Sequence, residues 1–515
     1  MSSRIIISSN RSLPSRLTQS RKLISTSGVS SPARKAFISS TTTSSASTAF
    51  AQQPQQPTSD EMPIAIKTAA QWAEFGRDHV CHGLGRLRDH VVVKGDGLDL
   101  YTADGKKLLD FTAGIGVTNL GHCHPHVSRA AAEQVNSLVH LQCSIAFHAP
   151  YLQLIDRLLP AMPHESLDQF FFWNSGSEAI EAAIKLARQA TGRQNMIVFS
   201  GAYHGRTMGS GALTRSKPIY TQGTGPLMPG VFSSAFPYWH QLGVAPSTSE
   251  EELVRLAEHQ LDLILRQQVN PKDVAAIFIE PVQGEGGYVP APPAFLRHLR
   301  DVCDKHGILL VIDEVQSGFF RTGSYFAIEQ LVPELRPDVL VFAKGVANGF
   351  PISGIASNKE LMGKLDVGSM GGTYSGNAVA CAAGIAAQEV YQTGEIGQNV
   401  EVRSKQLYKV LNGLAQGEKT KHLIAQVRGM GLMASIEFRN TADPCTLEGV
   451  PAGTAIPQNI GKRVQQYCID HDLLVLTTSC FDTIRFIPAL TVNEEQMDRA
   501  MRIFTEAVEN VAREG

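Results

Sequence analysis

The sequence predicts an α/β fold: a large domain whose mainly parallel sheet is covered by helices on both sides, and a smaller α+β domain beside it. Two observations carry this reading. Ile308-Leu309-Leu310-Val311-Ile312 and Val339-Leu340-Val341-Phe342-Ala343 are unbroken apolar runs, the pattern of strands buried on both faces. From Phe170 onward, strand-like runs alternate with stretches of helical periodicity, and βα alternation builds parallel sheets. With 515 residues, 43% hydrophobic and 18% charged, the chain can bury more than one core.

Residues 1–59 differ from the rest. They contain no Asp or Glu and carry Arg4, Arg11, Arg16, Arg21, Lys22, Arg34 and Lys35 among many Ser and Thr. Such a segment fits a mitochondrial transit peptide, and Ile5-Ile6-Ile7 with spaced arginines suits an amphipathic helix. A disordered tail without an address shares that composition. The expectation is a mitochondrial matrix protein, with a Pro/Gln linker over 52–58.

Residues 60–120 begin the smaller domain. A helix and short strands are expected over 65–95, and Gly95-Asp96-Gly97 and Ala103-Asp104-Gly105 are turn signals around a hairpin of 98–101 with 107–111. His122, Cys123, His124 and His126 follow a glycine-rich run. Adjacent ligands crowd the backbone and no second cluster stands at zinc-finger spacing, so no metal centre is expected. Pro125 opens a helix bearing Val127, Ala130, Ala131 and Val135.

Residues 121–376 read as the large domain. Strands are expected at 169–173, 196–200, 274–279, 308–313 and 339–344, with helices at 179–191 and 295–306. After Asn377 an Ala-rich helix crosses to a lobe spanning 377–515. There a helix near 400–415, strands at 424–428 and 432–438, a helix near 458–471, strands at 473–477 and 483–487, and a closing helix over 493–511 follow. The segment 440–456 reads as an irregular loop.

The net charge of −2 and 7% aromatic content give no sign of a nucleic-acid partner. Eight cysteines (81, 123, 143, 303, 381, 445, 468 and 480) are scattered without a CxxC pair, which suits reduced thiols rather than a disulfide framework. No apolar run approaches a membrane span, so no membrane partner is expected.

The chemistry gathers at the strand ends, where an open parallel sheet binds ligands. Asp313 ends one apolar run and Lys344 the other. An Asp and a Lys alone would make a structural ion pair; the neighbouring loops change that. Asn174-Ser175-Gly176-Ser177-Glu178 lies between a strand and a helix, where free backbone N–H groups and the helix dipole favour a phosphate, or where an ordinary N-cap would stand. Tyr203-His204-Gly205-Arg206-Thr207 offers a ring to stack on a flat cofactor and a guanidinium to fork onto a carboxylate, although each alone suits a solvated surface. Glu280-Pro281-Val282-Gln283-Gly284-Glu285-Gly286-Gly287 is a shaped loop with two acids, and no helix opens from it as a dinucleotide motif requires. One cofactor accounts for all of these parts. Pyridoxal 5'-phosphate needs a lysine to hold its aldehyde as a Schiff base, an acid on its pyridine nitrogen and a phosphate cradle.

These motifs, with Asp313 to Gly318, Phe342 to Gly349 and Gly371-Gly372-Thr373-Tyr374, resemble those of the class III aminotransferases in order and spacing, from about residue 65 to the C-terminus. The resemblance implies a fold type I pyridoxal-phosphate enzyme, with a seven-stranded sheet, a small domain from both chain ends and an obligate homodimer with shared active sites. It implies that Lys344 holds the cofactor and moves the proton, Asp313 pairs with the ring nitrogen and Gln316 with the ring hydroxyl. Tyr203 would stack on the ring, and Gly176 and Ser177 would hold the phosphate, with Thr373 reaching it from the partner.

Within the family the sequence is most similar to 4-aminobutyrate aminotransferases. That likeness implies Arg206 for the far carboxylate of an ω-amino acid and Glu285 with Arg485 as a switchable pair. Ile115 and Glu280 would complete the substrate pocket. The implied reaction is ping-pong transfer from 4-aminobutyrate or a close relative to 2-oxoglutarate. Acetylornithine, ornithine, β-alanine or a diamine as donor, and a non-catalytic binding subunit, remain the competing readings. Phe320 and Asn348 depart from the family's glycines and stand near the cofactor motifs in sequence.

Overall fold

The computed structural model describes residues 67–513, so the transit-peptide and linker expectations lie outside the described residues. The seven strands of the main sheet are β1 (Gln169–Trp173), β2 (Asn195–Phe199), β3 (Val231–Ser234), β4 (Val274–Ile279), β5 (Leu309–Asp313), β6 (Val339–Phe342) and β7 (Ser353–Ser357). Their spatial order is β1-β7-β6-β5-β4-β2-β3. β5 lies parallel to both β4 and β6 at the centre, and every residue of these three strands is buried. That explains their unbroken apolar character: both faces of the sheet carry helices.

β7 runs antiparallel between β6 and β1. Its sequence, Ser-Gly-Ile-Ala-Ser, lacks a strand signature because its neighbours fill the space. A Cβ on Gly354 would stand 2.7 Å from the Phe342 ring and 2.9 Å from that of Phe172. β3 and the helix Glu250–Gln267 were likewise not foreseen.

Helix Gly176–Thr191 is N-capped by Ser175, ends at Gly192 in the left-handed region, and packs Ala179, Ile180, Ala183, Ile184 and Ala187 inward. Its N-terminus faces the C-terminal ends of the central strands.

The two chain ends meet in one small sheet. Strands Val92–Asp96, Asp99–Thr102 and Lys107–Asp110 form a meander, onto which Leu473–Leu474 adds in parallel, Leu473 opposite Leu109. A second four-stranded sheet is antiparallel and comprises Ile424–Met430, Met433–Phe438, Leu476–Thr478 and Thr483–Phe486. The single strand expected at 473–477 is therefore two, because Leu473 pairs with Leu109 and Leu476 with Arg485 in a different sheet. Within 440–456 there is a short 3-10 turn, Pro444–Leu447, and Asp443 is tied to the His240 ring at 3.1 Å.

Candidate active site

β5 delivers Asp313 and β6 leads into Lys344, and both line a cavity of about 300 Å³ with Asn174, Ser175, Gly176, Ser177, Tyr203, Glu280 and Gln316. Residues from five separate strand ends thus share one rim, as the topology requires. Lys344 sits at φ +46, a left-handed conformation uncommon for a side chain larger than Asn, at the turn that aims its amine into the cavity. Burial lowers its pKa to about 8, offset in part by Glu285 and Asp313.

Asp313 is held from two sides. Its Oδ1 accepts the Val315 N–H at 3.0 Å, and its Oδ2 lies 2.7 Å from His204 Nδ1. Burial disfavours the charged imidazole, but the hydrogen bond and charge of Asp313 outweigh it and raise the His204 pKa above its ordinary value. Sequence reasoning quoted His204 within its motif and gave it no role.

Glu280 uses both oxygens on backbone, accepting Tyr203 N–H and Gly284 N–H at 2.9 Å each. It therefore shapes the two loops that meet at the cavity. Burial raises its pKa. Gly205, at φ +130, brings the backbone against the Ser177 and Ser210 hydroxyls, on which any Cβ would collide. The Arg206 N–H donates to Ser177 Oγ at 3.3 Å.

The Glu285 and Arg485 side chains form a buried ion pair between Nη1 and Oε1. Burial alone would raise the Glu285 pKa; the Arg485 charge and hydrogen bond outweigh it and lower it. Tyr220 adds a hydroxyl donated to Glu285 Oε2 at 3.2 Å. The Arg206 guanidinium lies 4.7 Å above the Tyr220 ring and 5.8 Å from that of Tyr203. Lys217 faces the same pair, and its pKa is lowered mainly by burial. Tyr220 and Lys217 escaped sequence reasoning because they stand in an irregular segment without periodicity.

Ile115, Arg206 and Thr373 are exposed, and these three together with Glu285 and Arg485 stand outside the cavity wall of this chain, which Val117 joins; the charges of Glu285 and Arg485 still act on Lys344. Neither family departure reaches the cavity. Phe320 packs against Tyr325 and Tyr391, while Asn348 accepts the Leu120 N–H and donates to Gly121 O. His122 and His126 bond Asp110 and Glu389, carboxylates of different elements.

The residues present fit pyridoxal phosphate. Gln316 Oε1 and His204 Nε2 are buried without a partner, as groups awaiting a ring and its shell would be. The first N–H groups of helix Gly176–Thr191 have no acceptor within the helix and suit a phosphate. A buried lysine of lowered pKa faces a buried Asp across the space between them. These features define an enzyme that carries its reactive group on a lysine-bound cofactor.

The comparisons agree. The profile of the family "Aminotransferase class-III" matches residues 85–508. The 5-aminovalerate aminotransferase DavT of Pseudomonas aeruginosa is 35% identical over 433 residues, 84% of this chain and 96% of its own. The 4-aminobutyrate aminotransferase GabT of Escherichia coli is 34% identical over 429 residues, 82% and 94%. A thermostable (S)-enantioselective ω-transaminase from Thermomicrobium roseum superposes with a TM-score of 0.77 at 29% identity, covering 87% of this chain and 100% of that one. This chain belongs to the class III aminotransferases, and it is a pyridoxal-phosphate enzyme of fold type I.

Proposed function

We propose that the enzyme transfers the terminal amine of an ω-amino acid, 4-aminobutyrate or the one-carbon-longer 5-aminovalerate, to 2-oxoglutarate in a ping-pong cycle. The observation that carries this reading is the buried Glu285–Arg485 pair beside Arg206. A donor with one carboxylate needs one free guanidinium, which Arg206 offers, and its amine-bearing end is uncharged save for the amine itself. Arg485 must then be neutralised, and Glu285 does this. A five-carbon oxo-diacid brings a second carboxylate, which replaces Glu285 on Arg485 in a forked pair. One site thereby takes two substrates of different charge.

The bound cofactor supplies an electron-accepting ring that carries the amine between the two half-reactions. In this reading Asp313, fixed by His204 and Val315 N–H, keeps that ring's nitrogen protonated. Gln316 would bond the ring hydroxyl, Tyr203 would pack against the ring, and Gly176 and Ser177 would hold the phosphate. Lys344 Nζ would take the proton from the substrate's amine-bearing carbon and deliver it to the cofactor carbon that had carried the aldehyde. Such positioned proton transfer contributes ~10²–10⁴-fold. We assign Thr373 to the phosphate of a partner subunit, and Ile115 to the substrate entrance.

The test is a half-reaction. Holoenzyme is mixed with 4-aminobutyrate, 5-aminovalerate, β-alanine, ornithine or acetylornithine, each without an oxo-acid, and the visible cofactor band is followed. Rapid bleaching by the first two, restored by 2-oxoglutarate, is expected. Bleaching by ornithine or acetylornithine alone would overturn the donor assignment and keep the family. We further propose that residues 1–59 direct the enzyme to mitochondria, on the strength of their arginines and lack of acids. A fluorescent protein fused behind them would then be imported, and a diffuse signal would sink that address.

A further inference from the structure

Tyr220 touches both carboxylate-recognising elements at once. It ends the short 3-10 turn Pro218–Tyr220, with its hydroxyl on Glu285 Oε2 at 3.2 Å and its ring 4.7 Å beneath the Arg206 guanidinium. The ring also meets Tyr203 edge to face at 5.1 Å. Glu285 is otherwise faced by the cations Arg485, Lys217 and Lys344, of which Arg485 alone is hydrogen-bonded to it.

We propose that Tyr220 sets which end of a substrate the site accepts: its hydroxyl latches Glu285 over Arg485, and its ring backs Arg206. The inference rests on the switch reading of Glu285 and Arg485 given above. The hydroxyl can donate to Glu285 only while that carboxylate lies over Arg485, so the bond stabilises the closed arrangement and not the open one. A two-state equilibrium shifts only by such a difference. The closed arrangement is the one that admits an ω-amino acid, and the open one admits an α-carboxylate. Tyr220 is thus a positioning residue for Glu285 and a specificity-setting one for the enzyme. The buried hydroxyl keeps its proton for this bond, since burial and the neighbouring Glu285 charge push its pKa up to about 12.

The experiment compares holoenzyme variants on two readouts. One is the ratio of kcat/KM for 4-aminobutyrate to kcat/KM for glutamate in half-reactions. The other is calorimetric affinity for glutarate, an unreactive diacid that needs both guanidinium groups. Tyr220→Phe keeps the ring and removes the latch. It should lower the ratio about tenfold and tighten glutarate by a similar factor, as the loss of one hydrogen bond to a charged group implies. Tyr220→Leu removes the ring as well and should raise KM for 4-aminobutyrate more than it lowers kcat, a split that general damage does not produce. Unchanged ratio and glutarate affinity in Tyr220→Phe would overturn the proposal.

Glu285→Ala separates the two layers of inference. If it too leaves the ratio unchanged, the switch reading itself fails. If it shifts the ratio and Tyr220→Phe does not, only the role of Tyr220 falls. With Glu285 absent the latch has nothing to hold, so Tyr220→Phe added to Glu285→Ala should change glutarate affinity no further. A further tenfold change there would also overturn the proposal.

Discussion

Lys344 is the residue we propose the chemistry turns on, and its buried environment sets a pH dependence. Burial lowers its pKa from the ordinary 10.5 to about 8. Only the neutral amine attacks an aldehyde, so the rate of cofactor capture by the apoenzyme should rise with pH, inflect near 8 and level above about 9. The rate of appearance of the visible band after adding pyridoxal phosphate reads this directly. An inflection near 10.5 would show that the amine is solvated and the desolvation argument wrong. Lys344→Ala should capture no cofactor covalently, so that after borohydride reduction and denaturing gel filtration its chain carries no pyridoxyl absorbance where the wild-type chain does, and it should lose at least ~10²-fold of transamination. The Asp and Lys were legible in the sequence because each terminates an apolar run in a parallel sheet, which fixes both strand ends to one rim. The partner of Asp313 was not: His204 reaches it from β2's following loop, 109 residues away in sequence. Tyr220 and Lys217 were hidden for a related reason, since nothing in an irregular segment tells which way a side chain faces.

At the scale of elements, the phosphate site we propose is a junction of a helix start and a loop rather than a set of side chains. Gly205 makes that junction possible, because its φ of +130 lets the backbone lie against the Ser177 hydroxyl. Gly205→Ala should therefore do two things together. It should lower the unfolding free energy by about 1–3 kcal/mol, the usual cost of a side chain in a conformation reserved for glycine. It should also speed the loss of pyridoxal phosphate on dialysis, because Ser177 must move. Chemical denaturation of the cofactor-free protein and release of the visible band measure the two separately. A variant that is destabilised yet retains cofactor normally would show that Ser177 does not hold the phosphate. Elements with a strong period or unbroken apolarity, β4, β5 and β6 among them, could be read at their residues. β7 could not, since its small residues are dictated by the Phe172 and Phe342 rings of its neighbours, which pairing alone reveals. The split of 473–477 between two sheets is also a property of pairing, invisible to a pattern read along one strand.

At the scale of the whole molecule, one surface stands out. Ile145 and Phe147 are 76% and 74% exposed, with Val139 at 56% and Tyr374 at 68% nearby. Asn377 ties the Val139 carbonyl to the start of helix Ala378–Tyr391, the His140 ring lies 5.7 Å from that of Tyr374, and His148, which follows Phe147, bonds the Gly376 carbonyl at 3.0 Å, so the segment 139–148 lies against 374–377 at both its ends. Apolar patches of this kind are typical of protein interfaces, and we propose a second copy, which the family resemblance implies, as the occupant of this one. Thr373 stands exposed at the same face, beside Tyr374 and outside its own cavity. If a symmetric partner covers the patch, each Thr373 can reach the other chain's phosphate. Phe147→Glu places a charge within that patch and should convert the proposed dimer to a monomer near 56 kDa in light scattering. The monomer, lacking the partner's Thr373, should lose pyridoxal phosphate on dilution. Thr373→Ala, which leaves the patch intact, should remain dimeric and lose cofactor more slowly than the monomer but faster than wild type. A monomeric Phe147→Glu protein that holds its cofactor as tightly as wild type would show that each active site is complete within one chain, and the shared-site arrangement would have to be abandoned.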